Sequence, residues 1–137
     1  RHTKGGASLA VLWKGGKAGS KIDEGAFDAV LLQEDLPETT SAAFAEAAAN
    51  FVARARARGA RPVLLMTWPY ERLRHCSLGD IGSAHRRVAD AHGVEVAPVG
   101  LAMDIARRRV RSRSDAWGDV GSVLDLLDPD DEHPSVQ

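Results

Sequence analysis

The apolar positions of this chain fall in short bursts separated by longer amphipathic stretches, and that alternation predicts its elements. Ala29-Val-Leu-Leu32 is a continuous apolar run. It is too short for an independent helix, and a run apolar at every position implies a strand buried on both faces, the habit of a parallel sheet covered by helices. The run turns polar at Gln33-Glu34-Asp35, and Pro37 cannot continue a ladder. Pro62-Val-Leu-Leu-Met-Thr-Trp68 repeats the pattern as a second buried strand, ending in Thr67-Trp68 ahead of Pro69-Tyr70. Val94-Glu-Val-Ala-Pro98 is a shorter third strand, expected nearer the edge.

Helical spacing fills the gaps. Thr39-Thr40-Ser41 can cap a long helix over 42–58, stopped by Gly59. Phe44, Ala47, Ala48, Phe51, Val52 and Ala55 form its core stripe, while Arg54, Arg56 and Arg58 complement the dipole at its end. A second helix begins at Leu78 or Gly79 and runs to His92, with Ile81, Ala84, Val88 and Ala91 inward and Gly93 as terminator. Another starts at Val99 and reaches Ala106, after which the basic run 107–113 leads into a polar connection. Ahead of the first strand, Ser8 (or Ala7-Ser8) caps a short helix that ends at Gly15. Gly15-Gly-Lys-Ala-Gly-Ser-Lys21 has neither the spacing of a P-loop nor a strand before it, and is expected to be a flexible helix exit. Residues 71–77 form an irregular excursion over the sheet edge. Strands alternating with helices in this order predict an α/β fold, a parallel sheet with right-handed crossovers in a three-layer α/β/α arrangement. No internal repeat interrupts it, and residues 1–137 are expected to form a single domain.

Composition narrows the partners. A chain of 137 residues suits one domain with a sizeable core. Its 44% hydrophobic and 27% charged residues are those of an ordinary globular protein. The net charge of −1 supplies no global basic field for nucleic acid or an anionic membrane. No stretch approaches the roughly 20 apolar residues of a membrane span. Cys76, the single cysteine, excludes an internal disulfide framework. No secretory or transit peptide is visible. The chain opens on Arg1 rather than Met and stops at Gln137 just after a loop-like Pro134-Ser135, so a fragment of a longer protein, incomplete at both ends, is expected.

Candidate chemistry concentrates at strand ends and near the C-terminus. In open α/β sheets ligands sit beyond the carboxyl ends of the strands, which is where Gln33 is delivered. Trp68 and Tyr70, beyond the second strand, can line the same cleft or lie as lids over the core. The cluster Asp125-Leu-Leu-Asp-Pro-Asp-Asp-Glu-His-Pro-Ser135 admits three readings. It is a solvated acidic turn. It is a metal site drawing on Asp128, Asp130, Asp131, Glu132 and His133, although consecutive residues rarely converge on one ion and no second histidine stands at ligand spacing. Or it is an Asp130–His133 pair in which the carboxylate orients an imidazole acting as general base, stiffened by Pro134. His75 and its neighbour Cys76 are expected to be surface residues, and His85 and His92, seven apart on one helix, surface or packing residues.

Taken in order, several of these segments resemble the SGNH (GDSL-type) hydrolase family. Gly5-Gly-Ala-Ser-Leu9 resembles the family's second block, Ala29-Val-Leu-Leu-Gln33 its third, and Asp130-Asp-Glu-His-Pro-Ser135 its last. Val63-Leu-Leu-Met-Thr-Trp68 and Val96-Ala-Pro-Val-Gly100 are similar to the intervening strands of a subgroup with Leu-Gln-Glu in the third block, so the resemblance spans about residues 5–135. It implies a flavodoxin-like three-layer fold and serine-esterase chemistry on a small-molecule or carbohydrate ester, with no metal or organic cofactor. It further implies His133 as base, Asp130 as its partner, and an oxyanion hole made by the Gly6 amide and the Gln33 side chain. Three departures stand out. Gln33 occupies a place where many members carry asparagine, and Asp131 one where glycine is common. No Gly-Asp-Ser nucleophile segment precedes the second block, and neither Ser8 nor Ser20 follows a buried strand. A nucleophilic serine upstream of Arg1 is therefore expected. The rivals are a non-catalytic flavodoxin-like binding domain and a metal- or phosphate-binding α/β domain.

Overall fold

The computed structural model describes residues 6–117 apart from positions 71 and 74, with side-chain surroundings as far as Arg109. The elements run α1 (Leu9–Lys14), α2 (Lys17–Glu24), β1 (Ala29–Gln33), α3 (Ser41–Ala57), β2 (Arg61–Leu65), α4 (Leu78–His92), β3 (Glu95–Ala97) and α5 (Val99–Trp117). The strands form one parallel sheet in the order β1-β2-β3. Each helix between strands is a crossover, and right-handed crossovers in one direction place their helices on one face. In agreement, α3 and α4 pack against each other, and α3 also packs against α1 and α2.

Local chemistry explains the boundaries. Thr40 caps α3 by accepting the Ala43 N–H at 3.1 Å. At the other end Gly59 takes φ +74°, a left-handed conformation that suits glycine, and the chain turns directly into β2. Ser77 and Asp80 form a reciprocal capping box on α4, and Gly93, at φ +58°, ends it. The core is the filling between α3, α4 and the sheet: Phe44, Phe51, Leu64, Met66 and Ile81 are fully enclosed, with Leu9, Leu32 and Val52 around them. Burial of each large side chain contributes about 1.5–3 kcal/mol. Trp13 meets the Phe51 ring edge-on at 5.0 Å, which fixes α1 against α3.

Several elements depart from the sequence expectation. Residues expected to form a flexible exit after Gly15 are the helix α2, whose Ala18 and Ile22 share an inward face. Arg54 secures it: the guanidinium lies over Trp13 at 5.1 Å and forms a 2.9 Å ion pair with Asp23. The basic run after Ala106 does not leave the helix; α5 continues through it, since arginine is a good helix former and Asp104 pairs with Arg108 one turn on. On α4, His85 and Ala89 are buried, whereas Ala91 is exposed. β2 is buried on both faces as expected, but β1 is not: Leu32 is 4% exposed and Leu31 62%. Among the described residues β1 has a strand neighbour on one edge and helices against its Leu32 face, which leaves Leu31 open.

Candidate active site

β1 and β2 end side by side, with Gln33 in register with Leu65. The chain then leaves the sheet in two loops that are joined to each other. The Tyr70 hydroxyl donates to Asp35 Oδ1 at 2.8 Å. Arg72 pairs with Glu38 and lies 5.5 Å over the Tyr70 ring. His75 Nε2 stands 3.1 Å from the Pro37 carbonyl. These contacts hold Tyr70 beside the exit of β1, and the half-buried Trp68 precedes it along the same loop.

The segment 6–8 reaches this edge from the other direction. Gly6, exposed, takes φ +62°, a conformation that a side chain would strain. Two residues later Ser8 caps α1, its hydroxyl accepting the Val11 N–H at 3.3 Å, so Ser8 has a structural task. The next amide, Leu9 N–H, is directed at the carboxylate of Glu34, 3.3 Å from Oε1 and 3.4 Å from Oε2. Glu34 immediately follows Gln33, so one side chain ties the glycine segment to the end of the strand that carries Gln33. The strand pleat separates the two neighbours: Gln33 is exposed, while Glu34 turns inward on the side of Leu32 and is 0% exposed. Glu34 is the residue that emphasis on Gln33 overlooks. The signal for it was parity, since position 34 shares its face with 32.

Burial pushes the Glu34 carboxyl above its ordinary range, opposed by the N–H groups of Asp35 and Leu9, which favour the charged form. The Asp35 N–H lies 2.9 Å from Oε1. A carboxylate accepting two backbone amides in an enclosed position is a strong, directional anchor. Cys76 is half-buried, and burial pushes its thiol up, with Asp80 adding to the effect. His85 is a packing residue: it is 1% exposed, touches Phe44 at 4.8 Å between ring centroids, and donates from Nδ1 to the Ile81 carbonyl at 2.8 Å. His92 is half-buried at the end of α4.

Thus Gly6, Gln33, Trp68 and Tyr70 all lie on the segments that meet at the C-terminal edge of β1 and β2. Asp130, His133 and the rest of the acidic cluster lie outside the described residues. Among the described residues, no group of three or more histidine, cysteine or carboxylate side chains could hold a metal ion, and no helix is long and apolar enough to cross a membrane.

No family model and no curated protein matches the chain. Among solved structures it is similar to a protein from Slackia heliotrinireducens described as "a putative SGNH hydrolase", with a TM-score of 0.68 and 27% sequence identity. The match covers 96% of this chain and 72% of that one. The likeness extends over nearly the whole chain, so its architecture is the three-layer α/β/α fold and it is related to the SGNH-type hydrolases.

Proposed function

We propose that this chain is the oxyanion and general-base part of a serine esterase acting on small acyl esters or carbohydrate acetyl esters. The observation that carries the proposal is the Glu34 tie, which brings the Gly6 segment to the strand end bearing Gln33. The likeness to an SGNH hydrolase over 96% of the chain supports the same assignment.

In this mechanism a serine Oγ attacks the ester carbonyl, and negative charge develops on the carbonyl oxygen. The Gly6 N–H and the Gln33 side-chain amide donate to that oxygen, each donor stabilising the transition state by about 2.7–4 kcal/mol. His133 accepts the serine proton and returns it to the departing alcohol, and Asp130 holds the imidazole in the working tautomer. Water, activated by the same histidine, then releases the acid and restores the serine. Trp68 and Tyr70 line the cleft. The serine itself is assigned to a segment preceding Arg1, because the 137 residues hold no Gly-Asp-Ser segment. The whole, residues 1–137 included, would form a single domain.

The test is p-nitrophenyl acetate turnover by the protein expressed with its native flanking sequence. Turnover that His133→Ala lowers at least a thousandfold supports the proposal. Turnover indifferent to His133→Ala, or none in the parent protein across a panel of acetyl and short acyl esters, refutes it.

A further inference from the structure

Glu34 is the one fully enclosed carboxylate among the described residues, and the acid–base scheme above gives it no part. Burying a carboxylate is costly unless its oxygens are satisfied. Here they accept two amides: that of the next residue, Asp35, at the exit of β1, and that of Leu9, 25 residues earlier, at the start of α1. Leu9 is also the residue by which α1 enters the core, at 3% exposure. Packing against Leu32 and Phe51 would hold α1 in place without any hydrogen bond, since apolar contact is tolerant of small slides and rotations. A hydrogen bond to an enclosed charge is not tolerant in that way, because its strength falls steeply with misalignment. The carboxylate therefore adds registration to what packing already stabilises. Gly6 lies three residues before the bonded amide and Gln33 one residue before the carboxylate, so the bond closes a short path between the two oxyanion donors.

We propose that Glu34 is the positioning residue of the oxyanion hole: by accepting the Leu9 amide it sets where the Gly6 N–H stands relative to Gln33. This rests on the esterase assignment for its catalytic consequence, but the positioning itself is measurable without activity. Glu34 touches neither substrate nor the reacting atoms. Its effect passes through Leu9 and the Ser8 cap to Gly6.

The experiment compares the protein, expressed with its native flanking sequence, with its Glu34→Gln variant. The amide replaces one acceptor oxygen by a donor and removes the charge while keeping the shape. Amide hydrogen exchange of Leu9 is expected to speed at least tenfold in Glu34→Gln, while amides in the middle of α3 keep their parent rates. In p-nitrophenyl acetate assays kcat should fall about ten- to a hundredfold with KM within twofold, as expected when donors lose alignment with the transition state. Unchanged Leu9 exchange overturns the proposal, and so does a loss of protection that α3 shares equally, because that describes a residue needed only for folding. If Glu34→Gln does not fold, the parent protein decides: the Leu9 amide proton resonance should titrate with the same midpoint as the Glu34 side-chain carboxyl carbon. A Leu9 resonance that ignores that titration, or follows the neighbouring Asp35 instead, overturns the proposal. Inactivity of the parent protein would refute the esterase assignment while leaving the exchange and titration results to judge Glu34.

Discussion

Replacing Gly100 by alanine tests how the loop bearing Trp68 and Tyr70 is supported. Gly100 lies in the first turn of α5, buried, with its N–H donating to the Met66 carbonyl at 3.0 Å. A Cβ at this position would stand 2.0 Å from the Thr67 carbonyl oxygen and 2.8 Å from its carbon. Those are backbone atoms at the exit of β2, so the neighbour cannot swing aside as the end of a long side chain could. Either α5 or the strand exit must move by more than an ångström. Overpacking of this kind costs about 1–3 kcal/mol. The gain in helix propensity from glycine to alanine is about 1 kcal/mol in a helix interior and less in the first turn. A net loss of about 1–2 kcal/mol remains, which for a domain of this size lowers Tm by about 4–8 °C. Gly82→Ala supplies the control. There the nearest atom is the flexible Met66 Cε at 3.4 Å, within α4, so the propensity gain of about 0.5–1 kcal/mol should show as a raised Tm. Thermal denaturation followed by circular dichroism reads both variants. A Gly100→Ala protein as stable as the parent would refute the close approach of α5 to the β2 exit.

Tyr70→Phe removes the hydroxyl that donates to Asp35, a bond to a charged acceptor worth about 1.5–3 kcal/mol when enclosed and less at this half-buried site. Its expected effect is increased protease sensitivity of residues 66–77, measured by limited proteolysis, with little change in Tm. His85 contributes a pH dependence. Burial lowers its pKa from 6.5, so the unfolded chain binds the proton more readily, and stability falls as pH drops below about 6.5. His85→Phe should flatten that part of a urea-denaturation profile, and an unaltered slope would show that His85 is not its source. Glu34 acts with the opposite slope. Its folded pKa is raised above 4.5, so the folded state holds the proton more readily and stability declines as pH rises from about 4.5 through the folded value, then levels. Glu34→Gln should remove this decline.

Much of the fold was legible because hydrophobic periodicity and glycine stops agree with the tertiary structure. The stripe Phe44, Ala47, Ala48, Phe51, Val52 and Ala55 is the buried face of α3, and Gly59 and Gly93 end their helices through left-handed backbone. α2 escaped notice because its glycines and lysines weaken local propensity; it is held by Arg54 reaching from α3, a long-range contact that no local pattern records. The open face at Leu31 was illegible for a similar reason: an apolar run says what could be buried, not which neighbours are at hand. At the candidate site, the strand-end position of Gln33 and the glycine segment followed from sequence order. The carboxylate between them did not, since an acidic residue after a strand ordinarily reads as a solvated turn. Its burial depends on the Leu9 amide, 25 residues away, supplying a partner.

The assignment as a serine esterase is tested most directly by a fluorophosphonate probe, which labels an activated serine irreversibly. The protein expressed with its native flanking sequence should take up one equivalent, on a serine N-terminal to Arg1. Labelling should be abolished by His133→Ala and accompanied by loss of p-nitrophenyl acetate turnover. Absence of labelling in the parent protein, or labelling that persists undiminished in His133→Ala, would contradict the account.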